Sequence, residues 1–326
     1  MATFVVFHFL AMTDRSRILC VSLNPAIDRR IRVSRLNVGE VNRATLAEPE
    51  AGGKAAHVAF AARALGADVR WLGFLGGPEG VGCREGIQAR GVTPVPVPIA
   101  GRTRTNLEII EEASGIVTEV LEPGPEITQL ELQEFLQQFT TEISDCSIVV
   151  LSGSLPRGVP VSMYADLIRS AKNAGCAVFL DTSGEPLSQA LAAGPSLVKP
   201  NRSEAEAMLG KVIKTVDDAI NGAQELKQSG IGAVVISLGA DGAVAVGDHV
   251  VYALPPRVSS VSAVGSGDSL LAGWAVAVLQ GRSFEDQLRL AVACGAANCV
   301  ASNPGMISPE TVERFLSLAK IQSCPS

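Results

Sequence analysis

From Ile18 onward, short β-branched runs alternate with stretches whose apolar residues recur at helical spacing. Ile18–Leu23 opens the series as a strand, and Lys54–Leu65 reads as an alanine-rich helix. Ser147–Leu151, Ala177–Leu180 and Ala233–Ser237 are continuous apolar runs, as expected of strands buried on both faces of a parallel sheet, and each borders an amphipathic segment. Strand, crossover helix, strand is the repeating unit, which predicts an α/β domain. Two stretches depart from it. Residues 29–50 and 92–121 read as extended segments with polar alternation, punctuated by Gly39, Gly101 and Gly115, and predict a small sheet outside the main one. The tail from Ser266 to Lys320 reads as three helices, broken near Gly281 and at Asn303–Gly305.

Composition narrows the class. With 326 residues, 47% of them hydrophobic, the chain can bury a large core, and no Pro-, Ser- or charge-rich linker divides it. One main domain with a small appendage is expected. The net charge of −6, without a block of Lys or Arg, speaks against a protein that wraps nucleic acid or lies on anionic lipid. Seven scattered cysteines without metal-ligand spacing predict reduced core thiols in a cytoplasmic protein and no zinc site. Phe4–Met12 is apolar like the middle of a signal peptide, but it lacks a basic start and a small-residue cleavage site. Residues 1–17 are therefore expected to be a disordered extension, or a start placed ahead of Met12, with the folded domain over 18–326.

The sharpest chemical feature is Val264-Gly-Ser-Gly-Asp-Ser-Leu-Leu-Ala-Gly273, where glycines lead straight into an apolar helix. Unpaired amides and the dipole at such a helix start favour an anion, and Asp268 in the first turn stands where it can take a proton from a hydroxyl. A plain helix cap with a tight turn explains the same residues. No Gly-Lys-Ser/Thr follows, so this is not a Walker loop. Val198-Lys-Pro-Asn-Arg-Ser-Glu204 places Asn201 and Glu204 on one helix face, which suits water-mediated contact with Mg²⁺ and nucleotide phosphates, or equally a capping box. Ser237-Leu-Gly-Ala-Asp-Gly242 lets a nucleotide approach the backbone or makes a hairpin turn.

Asp28, in Asn24-Pro-Ala-Ile-Asp28, is read as leaving the C-terminal edge of the parallel sheet, where it can bind sugar hydroxyls or serve a turn. Gly52, Gly53 and Lys54 open the alanine-rich helix, where a cation is unfavourable unless an anion joins it. Arg102 and Arg104 offer a fork of donors to a phosphate, or form a solvated strand face. Of the three histidines, only His57 lies among such residues; His8 falls in the extension and His249 in a surface turn.

In order along the chain, Leu23-Asn-Pro-Ala-Ile-Asp28, Gly39-Glu-Val-Asn-Arg43, Gly101-Arg-Thr-Arg-Thr-Asn106, Leu151-Ser-Gly-Ser-Leu-Pro156, Val198-Lys-Pro-Asn201 and Gly265-Ser-Gly-Asp268 resemble the ribokinase-like (PfkB) carbohydrate kinases. The likeness is greatest to the phosphosugar branch, which includes 1-phosphofructokinase and tagatose-6-phosphate kinase. It implies a three-layer α/β/α domain with a mostly parallel sheet, a small β lid formed by about 29–50 and 92–121, and a homodimer through that lid. It also implies ATP and Mg²⁺, and transfer to a ketohexose phosphate, with fructose 1-phosphate to fructose 1,6-bisphosphate as the first expectation. Tagatose 6-phosphate, fructose 6-phosphate, an unphosphorylated sugar or a nucleoside are alternative acceptors, and a non-catalytic binding protein is the alternative of another class.

By the same resemblance Asp268 is the base, and the amides of Gly265, Ser266 and Gly267 form the anion hole. Asp28, Gly53 and Asn106 contact the sugar, Lys54 and Arg104 its phosphate, and Arg43 assists from the lid. Lys199, Ser237, Gly239 and Gly242 line the nucleotide site, while Asn201 and Glu204 organise the metal through water. Two positions depart from the family's usual pattern. His57 stands where Gly-Lys-Gly-Ile-Asn has its asparagine, and a neutral imidazole would offer the sugar one donor and one acceptor. Ser266 replaces the more usual alanine and leaves the backbone amides in place.

Overall fold

The computed structural model describes residues 16–323. Along the chain run β1 (Arg17–Ser22), β2 (Ala26–Val33), β3 (Leu46–Gly52), α1 (Lys54–Ala64), β4 (Asp68–Leu75), α2 (Gly77–Ala89), β5 (Thr93–Pro98), β6 (Arg104–Glu111) and β7 (Val117–Leu121). Then follow α3 (Gln129–Ile143), β8 (Ile148–Ser152), α4 (Met163–Asn173), β9 (Ala177–Asp181), α5 (Gly184–Leu191), β10 (Leu197–Val198), α6 (Arg202–Leu209), α7 (Val216–Lys227) and β11 (Ala233–Ser237). The chain closes with β12 (Ala243–Val246), β13 (Val250–Leu254), α8 (Ser266–Leu279), α9 (Phe284–Cys299), α10 (Pro309–Leu318) and β14 (Lys320–Ser323).

A ten-stranded sheet forms the middle layer, in the order β14-β13-β12-β11-β10-β9-β8-β1-β4-β5. It is parallel from β11 to β5 and antiparallel from β11 to β14. Successive side chains of a strand leave opposite faces, so each buried strand feeds two cores. Ile18 and Cys20 of β1 belong to the core that also holds α1, α8 and α9, whereas Leu19 and Val21 belong to the core that holds α3, α4 and α7. This is the three-layer α/β/α sandwich. Helix α8 is buried along almost its whole length, and a Cβ on Gly273 would crowd Cys294 Sγ at 2.8 Å, so the glycine lets α8 and α9 approach closely.

A second, four-stranded sheet has the order β3-β2-β6-β7, with β2 and β6 parallel and its other pairs antiparallel. The stretch 92–121, expected whole in this sheet, divides instead. β5 joins the edge of the main sheet beside β4, and only β6 and β7 enter the small one. The alternation in Thr-Pro-Val-Pro-Val-Pro is that of an edge strand: Ile99 N–H, two residues on from Val97, donates to Leu75 O on β4, so the prolines at 94, 96 and 98 take the outer side. There a missing N–H breaks no ladder bond. Asp28 likewise does not emerge from the end of β1 but sits within β2 of the small sheet. Two boundaries also shift: Arg17 already belongs to β1, and the tail ends in a strand, β14, that helical spacing did not suggest. The extension expected over residues 1–17 lies, but for its last two residues, outside the described residues.

Candidate active site

The C-terminal ends of β1, β8, β9, β10 and β11 open on a cleft of about 780 Å³, with residues of β2, β6 and β7 on its other side. Ligands of open α/β sheets bind at such strand ends. The cleft brings together Asp28, Gly53, Lys54, His57, Arg104, Asn106, Lys199, Asn201, Glu204, Ser237, Gly239, Gly265, Ser266, Gly267 and Asp268.

Gly265 caps the start of helix α8; its φ of 78° is left-handed, and a Cβ on it would meet Pro304 Cβ at 2.5 Å. Asn298 of α9 fixes this turn from beneath. Its Nδ2 donates to Val264 O at 2.7 Å, and its Oδ1 accepts from Ser269 Oγ at 3.0 Å and Gly305 N–H at 2.8 Å. The Ser266 amide donates to Ala263 O at 3.1 Å, so of the three amides expected to receive an anion that one is already engaged; those of Gly265 and Gly267 have no partner among the described residues. Asp268, only 6% exposed, follows in the first turn. Gly267 leaves room for Lys199 Nζ, 3.1 Å from where a Cβ would lie.

The two lysines converge on a residue that sequence reasoning missed. Asp181, at the end of β9, lies 3.2 Å from Lys54 Nζ through Oδ1 and 3.3 Å from Lys199 Nζ through Oδ2. Burial alone would push its carboxyl up, but the charges of Lys199 and Lys54 hold it below the usual range. Lys54 in turn is pushed up, chiefly by the charge of Asp181, against the effect of burial. The signal was present, since Asp181 ends a continuous apolar strand as Ser237 does. Asn201 and Glu204 form the capping box of α6: Asn201 Oδ1 accepts from Glu204 N–H at 2.9 Å, and Glu204 Oε2 from Asn201 N–H at 2.8 Å. The cap and the cleft wall are thus the same residues. Glu204 Oε1 stays within 3.9 Å of Lys54 Nζ.

On the opposite wall, Asp28 Oδ1 accepts from Asn106 Nδ2 at 2.9 Å and Oδ2 from Gly53 N–H at 3.1 Å. Gly52 does not line the cleft, but a Cβ on it would overlap the Asp28 carboxylate. Arg104 Nη1 donates to Glu122 O at 2.7 Å, while its Nε and the Oδ1 of Asn106 are buried without partners among the described residues. Burial lowers the Arg104 pKa.

His57, in the first turn of α1, joins the two walls. Its Nε2 lies 3.2 Å from Asp28 Oδ2 and its Nδ1 3.0 Å from Asp268 Oδ2. Burial alone would push the imidazole down, but the hydrogen bonds to Asp268 and Asp28 and their charges outweigh it and raise the pKa to about 10. Asp28 is held below the carboxylate range: burial opposes this, and the bond to and charge of His57, then Gly53 N–H and Asn106, overcome it. Both ring nitrogens face carboxylates, so His57 does not offer a sugar the donor and acceptor expected of a neutral ring.

Besides Gly52, two expected residues fall elsewhere. Arg43 is exposed on the loop between β2 and β3, outside the cleft. Gly242 lies behind the turn at Gly239–Asp241, where a Cβ would overlap Ala253 O of β13; its role here is to let β12 and β13 pair. Among the described residues, no group of three His, Cys, Asp or Glu side chains is arranged to hold a metal ion.

A three-layer sandwich with a small sheet across the strand ends and a carboxylate at a glycine-opened helix is the ribokinase-like architecture. Phosphofructokinase-2 from Escherichia coli in complex with fructose-6-phosphate shares it, with a TM-score of 0.85 and 31% identity over 93% of this chain and 99% of that one. The model of the pfkB family carbohydrate kinases matches residues 16–311, and the chain belongs to that family. A 1-phosphofructokinase from Xanthomonas campestris is 38% identical over 314 residues, 94% of this chain and 98% of that protein. A tagatose-6-phosphate kinase from Staphylococcus epidermidis is 32% identical over 308 residues, 93% of this chain and 99% of that protein.

Proposed function

We propose that the protein transfers the γ-phosphoryl group of ATP to a hydroxyl of a ketohexose phosphate, with fructose 1-phosphate as the first candidate and fructose 1,6-bisphosphate as its product. The carrying observation is the pair of buried, unpartnered polar atoms on the small-sheet side of the cleft: Arg104 Nε, a donor suited to phosphate, and Asn106 Oδ1, an acceptor suited to a sugar hydroxyl. Both residues line the cleft together with Asp268. ATP would run along Ser237 and Gly239, with its phosphates toward Lys199 and the Gly265 and Gly267 amides. The acceptor hydroxyl gives its proton to Asp268 as its oxygen bonds to the γ-phosphorus, and the bond from that phosphorus to the bridging oxygen breaks to release ADP.

Mg²⁺ fits the donor set, since it keeps most of its waters and needs only outer carboxylate and amide oxygens beside the phosphates. Glu204 and Asn201 would hold that water shell, and the ion would supply charge neutralisation at the β- and γ-phosphates. Lys54 reaches into the cleft from α1 and, with Arg104, would receive the phosphate already on the sugar. The small sheet would act as a lid that excludes water. Its exposed Leu46, Val120 and Leu121 support pairing of two chains through it. Cys20, Cys83 and Cys294 are buried thiols, which agrees with a cytoplasmic location.

The test is ADP release from Mg-ATP with fructose 1-phosphate, tagatose 6-phosphate, fructose 6-phosphate and free sugars, with Asp268→Ala in parallel. A preference for one phosphosugar, lost by a factor on the order of 10² or more in the variant, is the expected result. Equal turnover by the variant would remove Asp268 from the chemistry. Silence with every phosphosugar would leave the binding-protein reading.

A further inference from the structure

One buried side chain in the cleft stands between two carboxylates with different tasks. His57 carries its ring between Asp28 on β2 and Asp268 on α8, and all three side chains are at most 9% exposed. The backbone that carries the ring is held in place: the backbone N–H of His57 donates to Gly53 O at 3.2 Å, and a Cβ on Gly305, in the loop after α9, would meet His57 Cα at 3.0 Å.

We propose that His57 is a positioning residue which acts as an imidazolium, donating one hydrogen bond to each carboxylate, so that the sugar wall and the phosphoryl-transfer wall are held as one unit. The inference rests on the proposed kinase reading and adds to it a residue that touches neither sugar nor ATP through its ring nitrogens. The hydrogen-bond inventory of the ring carries it. A neutral imidazole has one N–H and one lone pair. In this geometry the lone pair would face a carboxylate oxygen at 3.0 or 3.2 Å, two acceptors in contact with no proton between them. With a proton on each nitrogen both contacts become charge-assisted hydrogen bonds.

The charges around the ring agree. Asp28 and Asp268 face its nitrogens, and Glu108 on β6 also lies within its field; of the cations nearby, Arg30 pairs with Glu108 and Lys54 with Asp181, while Arg104 acts on Asp28 through its charge and Lys54 on Asp268. A neutral ring would leave Asp28 and Asp268 without an ion-pair partner among the described residues. The raised pKa of His57 is the expected companion of this arrangement.

A consequence is directional. Asp28 has Oδ1 on Asn106 and Oδ2 shared by Gly53 and His57, and Asp268 has Oδ2 on His57. The acceptor hydroxyl therefore meets Asp268 at Oδ1, the oxygen with no partner among the described residues. Holding that oxygen in line is what His57 does for transfer.

The test has two arms on the full chain. Nitrogen NMR of the wild-type protein at pH 8, with His57→Asn used to assign the signal, is expected to show both His57 nitrogens protonated. A single protonated nitrogen at that pH would overturn the proposal whatever the enzyme's activity. In the kinetic arm, His57→Ala and His57→Gln are expected to lower kcat about 10²-fold, with KM for Mg-ATP unchanged, and Gln, which can donate to one carboxylate, is expected to recover part of the loss. An unchanged kcat in His57→Ala would also overturn it. Failure of the kinase reading is seen separately, as absence of turnover in the wild type, and leaves the NMR arm intact.

Discussion

At the scale of single residues, the site turns on contacts that leave no room for variation. Gly52 is the clearest case, because any side chain there would displace the Asp28 carboxylate. Gly52→Ala is expected to raise KM for the sugar phosphate at least about 10-fold while KM for ATP stays near wild type, read from initial rates with each substrate varied. His57 supplies a second prediction, in stability. Its folded pKa of about 10 lies above its ordinary 6.5, so between those values the native state keeps a proton that the unfolded chain releases. Its contribution is full below about pH 6.5 and is lost as pH rises through about 10. Asp28, held below its ordinary 3.8, has the opposite sign: its contribution is present above that value and lost as pH falls through the lower folded pKa. Tm should thus decline between pH 7 and 10 more steeply in the wild type than in His57→Asn, and parallel curves would contradict the charged ring. Sequence named both residues but not their contact, because a separation of 211 residues between His57 and Asp268 says nothing of distance in space. Asp181 escaped notice for a related reason. Its place at the end of a buried strand marks it as a candidate, but the two lysines that share it come from other elements.

At the scale of elements, the glycine-opened helix, the capping box of α6 and the alanine-rich α1 were all readable, since each has a local signature. The division of residues 92–121 between two sheets was not. An edge strand and a lid strand share polar alternation, and only pairing with β4 distinguishes β5. The small sheet is tied to the body through Arg30 of β2, whose Nε donates to Glu108 at 2.9 Å and whose Nη1 donates to Ser302 O at 2.8 Å and Asn303 Oδ1 at 2.7 Å. Asn303 in turn contacts Glu50 of β3. Arg30 and Glu108 are 9% and 3% exposed, so removing one partner strands a buried charge. Arg30→Met is expected to cost about 3–5 kcal/mol in urea denaturation, and Arg30→Met with Glu108→Leu to recover most of it, because replacing the whole pair leaves no unpaired charge. A double variant as unstable as the single one would show that the link to the α9–α10 loop, rather than the ion pair, holds the sheet.

At the scale of the whole molecule, the order of strands and helices was legible from buried apolar runs, and the family motifs named residues that the fold gathers at the cleft, Asp28, Asn106, Lys199 and Asp268 among them. Assembly is the open quantity. If two chains pair through the small sheet, Leu121→Asp should shift the molar mass measured by light scattering from two chains to one; an unshifted mass would exclude that surface. With Pro94, Pro96 and Pro98 turned outward, the free margin of β5 offers carbonyls but no amide donors between Thr93 and Pro98. A stray strand laid against it would find half of its hydrogen bonds unanswerable. Concentrated solutions are thereby guarded against fibre growth from this margin, and replacing the three prolines with threonine should shorten the time to visible turbidity without altering the catalytic cleft.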